Sequence, residues 1–307
     1  MTAYISIVVP VYNEENSLPL FYKELIGALG KTKKTYEIIF VDDGSTDKSF
    51  NVLEGLREKD QHLRVAKLDR NYGQHPALAA GFELAKGEII VIMDADSQND
   101  PDDIPRFIEK IEEGYSMVWG WRENRFDPFF TRKVPSYIFN KMICKIIGVS
   151  LKDINCGVKA FKKPIVEKIN GYGEQRNFLP VFLAKISPSI AEIPVNHRRR
   201  EHGKSKYDFL KSCEIIFSFL TSYSLKTFRL AGIFGLFSTF ASIGFGVLYT
   251  ALYYFANLRI NQIGTMLAVA IVVGVQFFAI GMIGELINRI YRISGNRPLF
   301  VIEKILD

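Results

Sequence analysis

The sequence predicts an α/β domain with a mostly parallel sheet, followed by an amphipathic helix and a C-terminal two-helix transmembrane hairpin. Two observations carry that prediction. The first 120 residues alternate apolar, β-branched runs with helical patterns, and from Leu230 to Gly284 Arg259 is the only charged residue. At 307 residues the chain can bury a sizeable core in one domain or two. Its hydrophobic content of 48% is an average over these two unlike regions.

Residues 4–12 (YISIVVPVY) read as the first strand and residues 17–30 as a helix. Residues 37–43 (EIIFVDD) form a second strand, and Gly44-Ser45-Thr46-Asp47 leads into the next helix. A third strand follows at 63–68, a helix at 75–85, and a fourth strand at 88–96 (EIIVIMDAD). Such alternation points to parallel strands covered on both faces. Ligands of these sheets bind beyond the carboxyl ends of the strands. The polar residues gather in those places: Asn13-Glu14, Asp42-Asp43, and Asp94 through Asp100.

The hairpin is expected at 230–256 and 263–285, joined by a turn at 257–262. No charge lies between Arg229 and Arg259, or between Arg259 and Glu285. A helix needs about 20 apolar residues to cross a hydrocarbon core of about 30 Å. A buried hairpin of a soluble protein is the alternative, but such helices rarely run so long without a charge. Residues 208–228 read as an interfacial helix with Phe209, Cys213, Ile216, Phe217 and Leu220 on one face; packing on the domain is an equal alternative. Lys226 and Arg229 precede the spans, Arg289, Arg292 and Arg297 follow them, and the turn holds only Arg259. The positive-inside rule then puts domain 1–207, the tail 289–307 and both termini on the cytoplasmic side of the inner membrane. The opening residues lack a basic n-region and reach an acid by Glu14, so no secretory leader is expected.

Three cysteines, Cys144, Cys156 and Cys213, lack metal spacing and read as reduced thiols. The net charge of +6 is explained by anionic headgroups and phosphorylated substrates, without nucleic acid. Neither G-x-G-x-x-G nor G-x-x-x-x-G-K-[ST] occurs, which excludes the usual dinucleotide and P-loop sites.

Asp94-Ala95-Asp96, followed by Ser97-Gln98, is the most informative short segment. Two carboxylates two residues apart, just past an apolar strand, can converge on a hard cation that also holds a diphosphate. Alone, the pair is also what a solvated acidic turn looks like. Context distinguishes them. Val9-Pro10-Val11-Tyr12-Asn13-Glu14, Val41-Asp42-Asp43-Gly44-Ser45 and Asp94-Ala95-Asp96 stand at successive strand ends, in an order and spacing that resembles family 2 glycosyltransferases of the GT-A fold.

The later part resembles, more narrowly, the polyprenyl-phosphate sugar transferases: dolichyl-phosphate mannose synthase, bacterial glucosyltransferases and the undecaprenyl-phosphate formamido-arabinose transferase. Asn71-Tyr72-Gly73-Gln74-His75 is most similar to the last of these. Residues 153–161 (DINCGVKAF) are similar to the shared D-x-x-[SC]-G-F-[RK]-x-[FY] element and depart from it at Val158.

That resemblance implies that Pro10, Tyr12, Glu14, Asp42 and Asp43 hold the nucleotide base and ribose, with Asp94 and Arg122 toward the donor sugar and its phosphates. Asp96 and Gln98 would take the metal side, for Mg²⁺ or Mn²⁺. Arg132, Ser136, Arg200 and Lys206 would steer the acceptor phosphate, since arginine suits bidentate phosphate contacts. Arg198 and Arg199 are read as a headgroup-facing patch. Asp153 would orient acceptor or sugar, and His75 lies where it could touch substrate.

A phosphate monoester acceptor is already an anion, so positioning against the anomeric carbon replaces a strong general base. The resemblance thus implies inverting transfer from a nucleotide sugar to a polyisoprenyl phosphate at the bilayer surface. UDP-glucose is the first expectation, with formamido-arabinose, galactose, N-acetylglucosamine or mannose donors as alternatives. The small residues of the spans allow a homo-oligomer, and a flippase or downstream transferase would be natural partners. A processive polysaccharide synthase is disfavoured, because Trp119 and Trp121 are the only tryptophans and neither sits in a Q-x-x-R-W element. A non-catalytic membrane adaptor of the same fold is the alternative from another class.

Overall fold

A computed structural model describes residues 3–123, most of 140–168, 179–196, residue 198, scattered positions between 237 and 255, and residues 262–294 and 298–307. The chain divides into two units, Met1–Lys206 with Pro298–Asp307, and Tyr207–Arg297.

The first unit is built on one eight-stranded sheet. Strands β1 (Ile5–Val11), β2 (Tyr36–Asp42), β3 (Leu63–Leu68) and β4 (Ile89–Ile92) run parallel in the order β4-β1-β2-β3. Ile5, Ile7, Val8, Val9, Ile38, Ile39, Phe40 and Val41 are fully buried. A strand buried on both faces has no polar side to alternate with, which is why these runs are continuously apolar. Each fully buried aliphatic side chain stabilises by roughly 1.5–3 kcal/mol. The exception, Ser6, is buried but satisfied: its hydroxyl donates to Glu37 at 2.6 Å and accepts from the Gly87 amide at 2.8 Å.

Helix α1 (Leu18–Thr32) follows β1, α2 (Ser49–Arg57) follows β2, and α3 (Gln74–Leu84) follows β3. Helix α4 (Ile104–Glu112) shows its amphipathic origin plainly, since Ile104, Phe107, Ile108 and Ile111 are its buried positions. Helix α3 approaches β1 at a glycine: a Cβ on Gly81 would lie 2.3 Å from Val8 Cγ1.

Four further strands complete the sheet, β5 (Met117–Arg122), β6 (Lys159–Lys162), β7 (Ile190–Val195) and β8 (Ile302–Leu306), in the full order β7-β5-β6-β4-β1-β2-β3-β8. β6 is antiparallel to both β4 and β5, and β8 is antiparallel to β3. The sheet is therefore mostly parallel but mixed. β8 comes from residues read in the sequence as a C-terminal tail. It is pinned by Lys67–Glu303 and Lys304–Glu54 ion pairs, at 2.7 and 2.8 Å.

In the second unit the helix Gln262–Ser294 is 33 residues long. Its side chains are described without a break only over 271–284, fewer than the roughly 20 residues that a crossing takes. Among the described residues no helix is long and apolar enough to cross a membrane. The interfacial helix expected at 208–228 lies outside the described residues, as does most of the span expected at 230–256.

Overpacking against Val8 should cost about 2–3 kcal/mol and a helix-propensity gain of about 1 kcal/mol offsets part of it, so Gly81→Ala should lower stability by about 1–2 kcal/mol. Thermal unfolding of the purified chain measures this, and an unchanged or higher midpoint would contradict the tight approach of α3 to β1.

Candidate active site

The carboxyl ends of β1, β2 and β4 lie side by side, because these strands are parallel neighbours. Pro10 and Val11 are paired with Val41 and Asp42, so the first two motifs face one another. Beyond β1 the chain turns at Asn13, which adopts φ 55°. Asn13 accepts from the Thr46 amide at 2.8 Å, and the Glu14 amide donates to Ser49 Oγ at 2.8 Å. These bonds lock the turn after β1 to the turn after β2. Tyr12 and Glu14 are half-buried there, and Glu14 Oε2 accepts from Ser17 at 2.9 Å.

Asp42 and Asp43 are adjacent in sequence but differ in use. Both oxygens of Asp43 accept backbone amides, from Tyr72 at 2.7 Å and Gly73 at 2.8 Å. Asp43 therefore clasps the loop between β3 and α3, although burial still pushes its carboxyl up to about 6. Gly44 makes the clasp close. It sits at φ 63°, and a Cβ there would lie 2.4 Å from the Arg70 carbonyl carbon. Asp42 is fully buried, and burial raises its pKa against the lowering effect of its hydrogen bonds from Ser45. Its Oδ1 meets no donor among the described residues. A buried carboxylate oxygen left without a donor is costly unless a ligand supplies one.

At the end of β4, Asp96 Oδ1 accepts the Gln98 amide at 3.1 Å around Ser97, which is in the left-handed region at φ 57°. Burial, then the charge of Asp96, push Asp94 up to about 7, against the opposing charges of Lys159 and Arg122. Asp94 Oδ1 accepts Gln74 Nε2 at 2.6 Å, and its Oδ2 abuts Gly157, where a Cβ would lie only 2.3 Å away. Among the described residues no group of three or more His, Cys, Asp or Glu side chains could hold a metal ion. Two crowded oxygen donors still fit Mg²⁺ or Mn²⁺ of the kind that completes its shell with substrate phosphates and water.

Arg122 and Asp153 hold one another. Nε and Nη2 of Arg122 donate to the two Asp153 oxygens at 2.7 and 3.1 Å, and the Trp119 indole donates to the Asp153 carbonyl at 2.8 Å. The bidentate pair fixes the guanidinium at the end of β5. Lys159, at the start of β6, is a buried residue that the sequence reading did not single out. Its ammonium donates to the Cys156 carbonyl and lies 4.6 Å from the Trp119 ring centroid, and burial lowers its pKa. Burial, then the Lys159 charge, push His75 down to about 4, so its ring is neutral at pH 7.

The basic set divides differently from the expectation. Arg132, Ser136, Arg199, Arg200 and Lys206 lie outside the described residues. Arg198, read as a headgroup-facing residue, is instead tied to the domain. Its guanidinium pairs with Glu24 at 2.8 Å and Asp100 at 2.9 Å, and its amide donates to the Gln98 carbonyl at 2.8 Å. The acidic partners come from distant parts of the chain, so no local pattern could have signalled them.

Asp43→Asn should cost about 1–3 kcal/mol, because an amide NH₂ would face one of two backbone N–H donors. Thermal unfolding checks it. A variant as stable as the parent would show that the clasp does not hold the loop.

The family model for glycosyl transferase family 2 matches residues 6–169, which include each of the strand ends described above. Over 98% of its length the chain is 37% identical to the undecaprenyl-phosphate 4-deoxy-4-formamido-L-arabinose transferase of Photorhabdus laumondii, covering 94% of that protein. The enzyme of the same name from Klebsiella pneumoniae strain 342 is 35% identical over 98% of this chain and 93% of its own. Among solved structures, glucosyl-3-phosphoglycerate synthase from Mycobacterium tuberculosis, in complex with Mn²⁺, UDP and glucosyl-3-phosphoglycerate, superposes with a TM-score of 0.52 at 20% identity. That match covers 72% of this chain and 80% of the other, and it supports the GT-A fold alone. The chain belongs to glycosyl transferase family 2 and is a glycosyltransferase.

Proposed function

We propose that the enzyme transfers 4-deoxy-4-formamido-L-arabinose from a nucleotide sugar to undecaprenyl phosphate, inverting the anomeric carbon in a single displacement. The full-length similarity to transferases named for that reaction carries the reading, and it replaces glucose as the first expectation. The site chemistry agrees with a nucleotide-sugar donor. Asp42 Oδ1 is a buried acceptor suited to an N–H or O–H of the nucleotide, and Pro10, Tyr12 and Glu14 would complete that site from the end of the neighbouring strand β1.

Asp96, with Gln98, would hold a divalent cation beside Asp94, and that cation would supply charge neutralisation at the departing diphosphate. Arg122, oriented by Asp153, would face the donor phosphates. Asp94 would face the sugar. Arg132, Ser136, Arg200 and Lys206 would receive the acceptor phosphate, which arrives already anionic and needs orientation more than deprotonation.

The second unit would anchor the enzyme in the inner membrane, where the polyprenyl tail of the acceptor resides. Large apolar side chains on the helix Gln262–Ser294 support this, with Val269, Ile271, Phe277, Phe278 and Ile280 all more than half exposed. Chain connectivity adds support. The polypeptide leaves the first unit at Lys206 and returns at Pro298 to form β8 of the same sheet. An insertion bounded in that way crosses a bilayer an even number of times, as a hairpin does. Both ends would then share the cytoplasmic face.

Membranes containing the enzyme, supplied with undecaprenyl phosphate, Mg²⁺ or Mn²⁺ and a panel of labelled nucleotide sugars, test the proposal. Label from the formamido-arabinose donor should enter the organic phase at least about tenfold faster than label from UDP-glucose. Equal or faster transfer of glucose would overturn the choice of sugar, and no organic-phase product from any donor would overturn the reaction.

A further inference from the structure

We propose that Gln74 is a positioning residue that sets the orientation of Asp94; this deepens the functional reading above and rests on its placing Asp94 against the donor sugar. The backbone of Gln74 is held from the β2 side. Asp43 accepts the amides of the two residues before it, and Gly73 turns the chain at φ 98° into α3. From that fixed base the side chain reaches across to the end of β4, where Nε2 donates to Asp94 Oδ1 at 2.6 Å. The other carboxylate oxygen, Oδ2, lies against Gly157. One flank is a hydrogen bond and the other is a wall with no room for a Cβ. Between them the carboxylate keeps one orientation.

The residue type matters as much as the contact. A carboxamide directs the carboxylate without altering its charge, so Asp94 retains its full capacity to accept from the donor or to face a cation. A lysine would neutralise it. A glutamate would set a second carboxylate at hydrogen-bond distance from the first, in a place already crowded by Asp96 and Glu14. Gln74 is itself exposed at the open end of the sheet, so it has no packing duty that would explain its contact with Asp94. Its link also joins the Asp43 clasp at β2 to the Asp94–Gly157 contact between β4 and β6.

The test is a double-mutant cycle in the full-length enzyme, with Gln74→Ala, Asp94→Ala and both together. Gln74→Ala should lower kcat about tenfold with KM for the nucleotide sugar changed less than about twofold, the pattern of lost orientation at the reacting centre. Gln74→Glu should lose on the order of 100-fold, because it adds repulsion to the loss. In the Asp94→Ala background, Gln74→Ala should have no further effect. Where that background turns over too slowly to measure, the same four proteins are compared by thermal unfolding. There the shift caused by Gln74→Ala should vanish once Asp94 is gone. Effects that multiply independently in kinetics, or add independently in stability, would overturn the proposal, as would a Gln74→Ala enzyme with unchanged kcat. Failure of the wild-type enzyme to use the formamido-arabinose donor would count against the functional reading alone. The cycle is then read on affinity for UDP with Mn²⁺ and on thermal stability, and independent effects in both would overturn the role of Gln74.

Discussion

Carboxylates crowded at the open end of one sheet set the terms for everything built around them. Asp42, Asp43, Asp94 and Asp96 follow from strands that run parallel and end together, and burial disfavours charge on Asp42, Asp43 and Asp94. Each must be answered by a donor or a positive charge, or stay poised for a ligand. Asp43 is answered by two backbone amides, Asp153 by Arg122, and Asp94 by Gln74 with Lys159 and Arg122 as more distant positive charges. What stays unanswered among the described residues is Asp42 Oδ1, while Asp94 and Asp96 face each other as like charges. A nucleotide diphosphate with a divalent cation carries the complementary groups: N–H and O–H donors at one end and positive charge at the other.

The elements that support these carboxylates come from far along the chain. Lys159 and Gly157 arrive with β6, which runs antiparallel between β4 and β5. The loop that leads into Gln74 is held on one side by Asp43. On the other, the Asp69 amide donates to the Val301 carbonyl at 3.1 Å, just before β8. The segment that returns from the second unit thus braces the loop that reaches Asp94. Sheet closure and site geometry are one construction.

Strands β1 to β4 and helices α1 to α3 were legible because a doubly covered parallel strand must be apolar throughout, and its polar residues are forced to its end. The motif positions Asp42, Asp94 and Asp96 were legible for that reason. β6 was hidden by its brevity, and β8 by its partner, since Lys67 pairs with Lys304 across the whole second unit. Within the site, sequence could mark which residues bear charge but not which of them neutralise one another. Arg198 stood in a basic run and looked like a surface cation; its acids, Glu24 and Asp100, belong to elements far away in the chain. Arg122 and Asp153 looked like two independent functional groups and are one ion pair.

We propose that a cation and a nucleotide together complete the strand-end carboxylates. Calorimetric titration of UDP into the full-length enzyme, with and without Mn²⁺, tests it most directly. Binding should strengthen at least about tenfold with the cation and lose that gain in Asp96→Ala. Cation-independent binding, or a cation effect that survives Asp96→Ala unchanged, would contradict it.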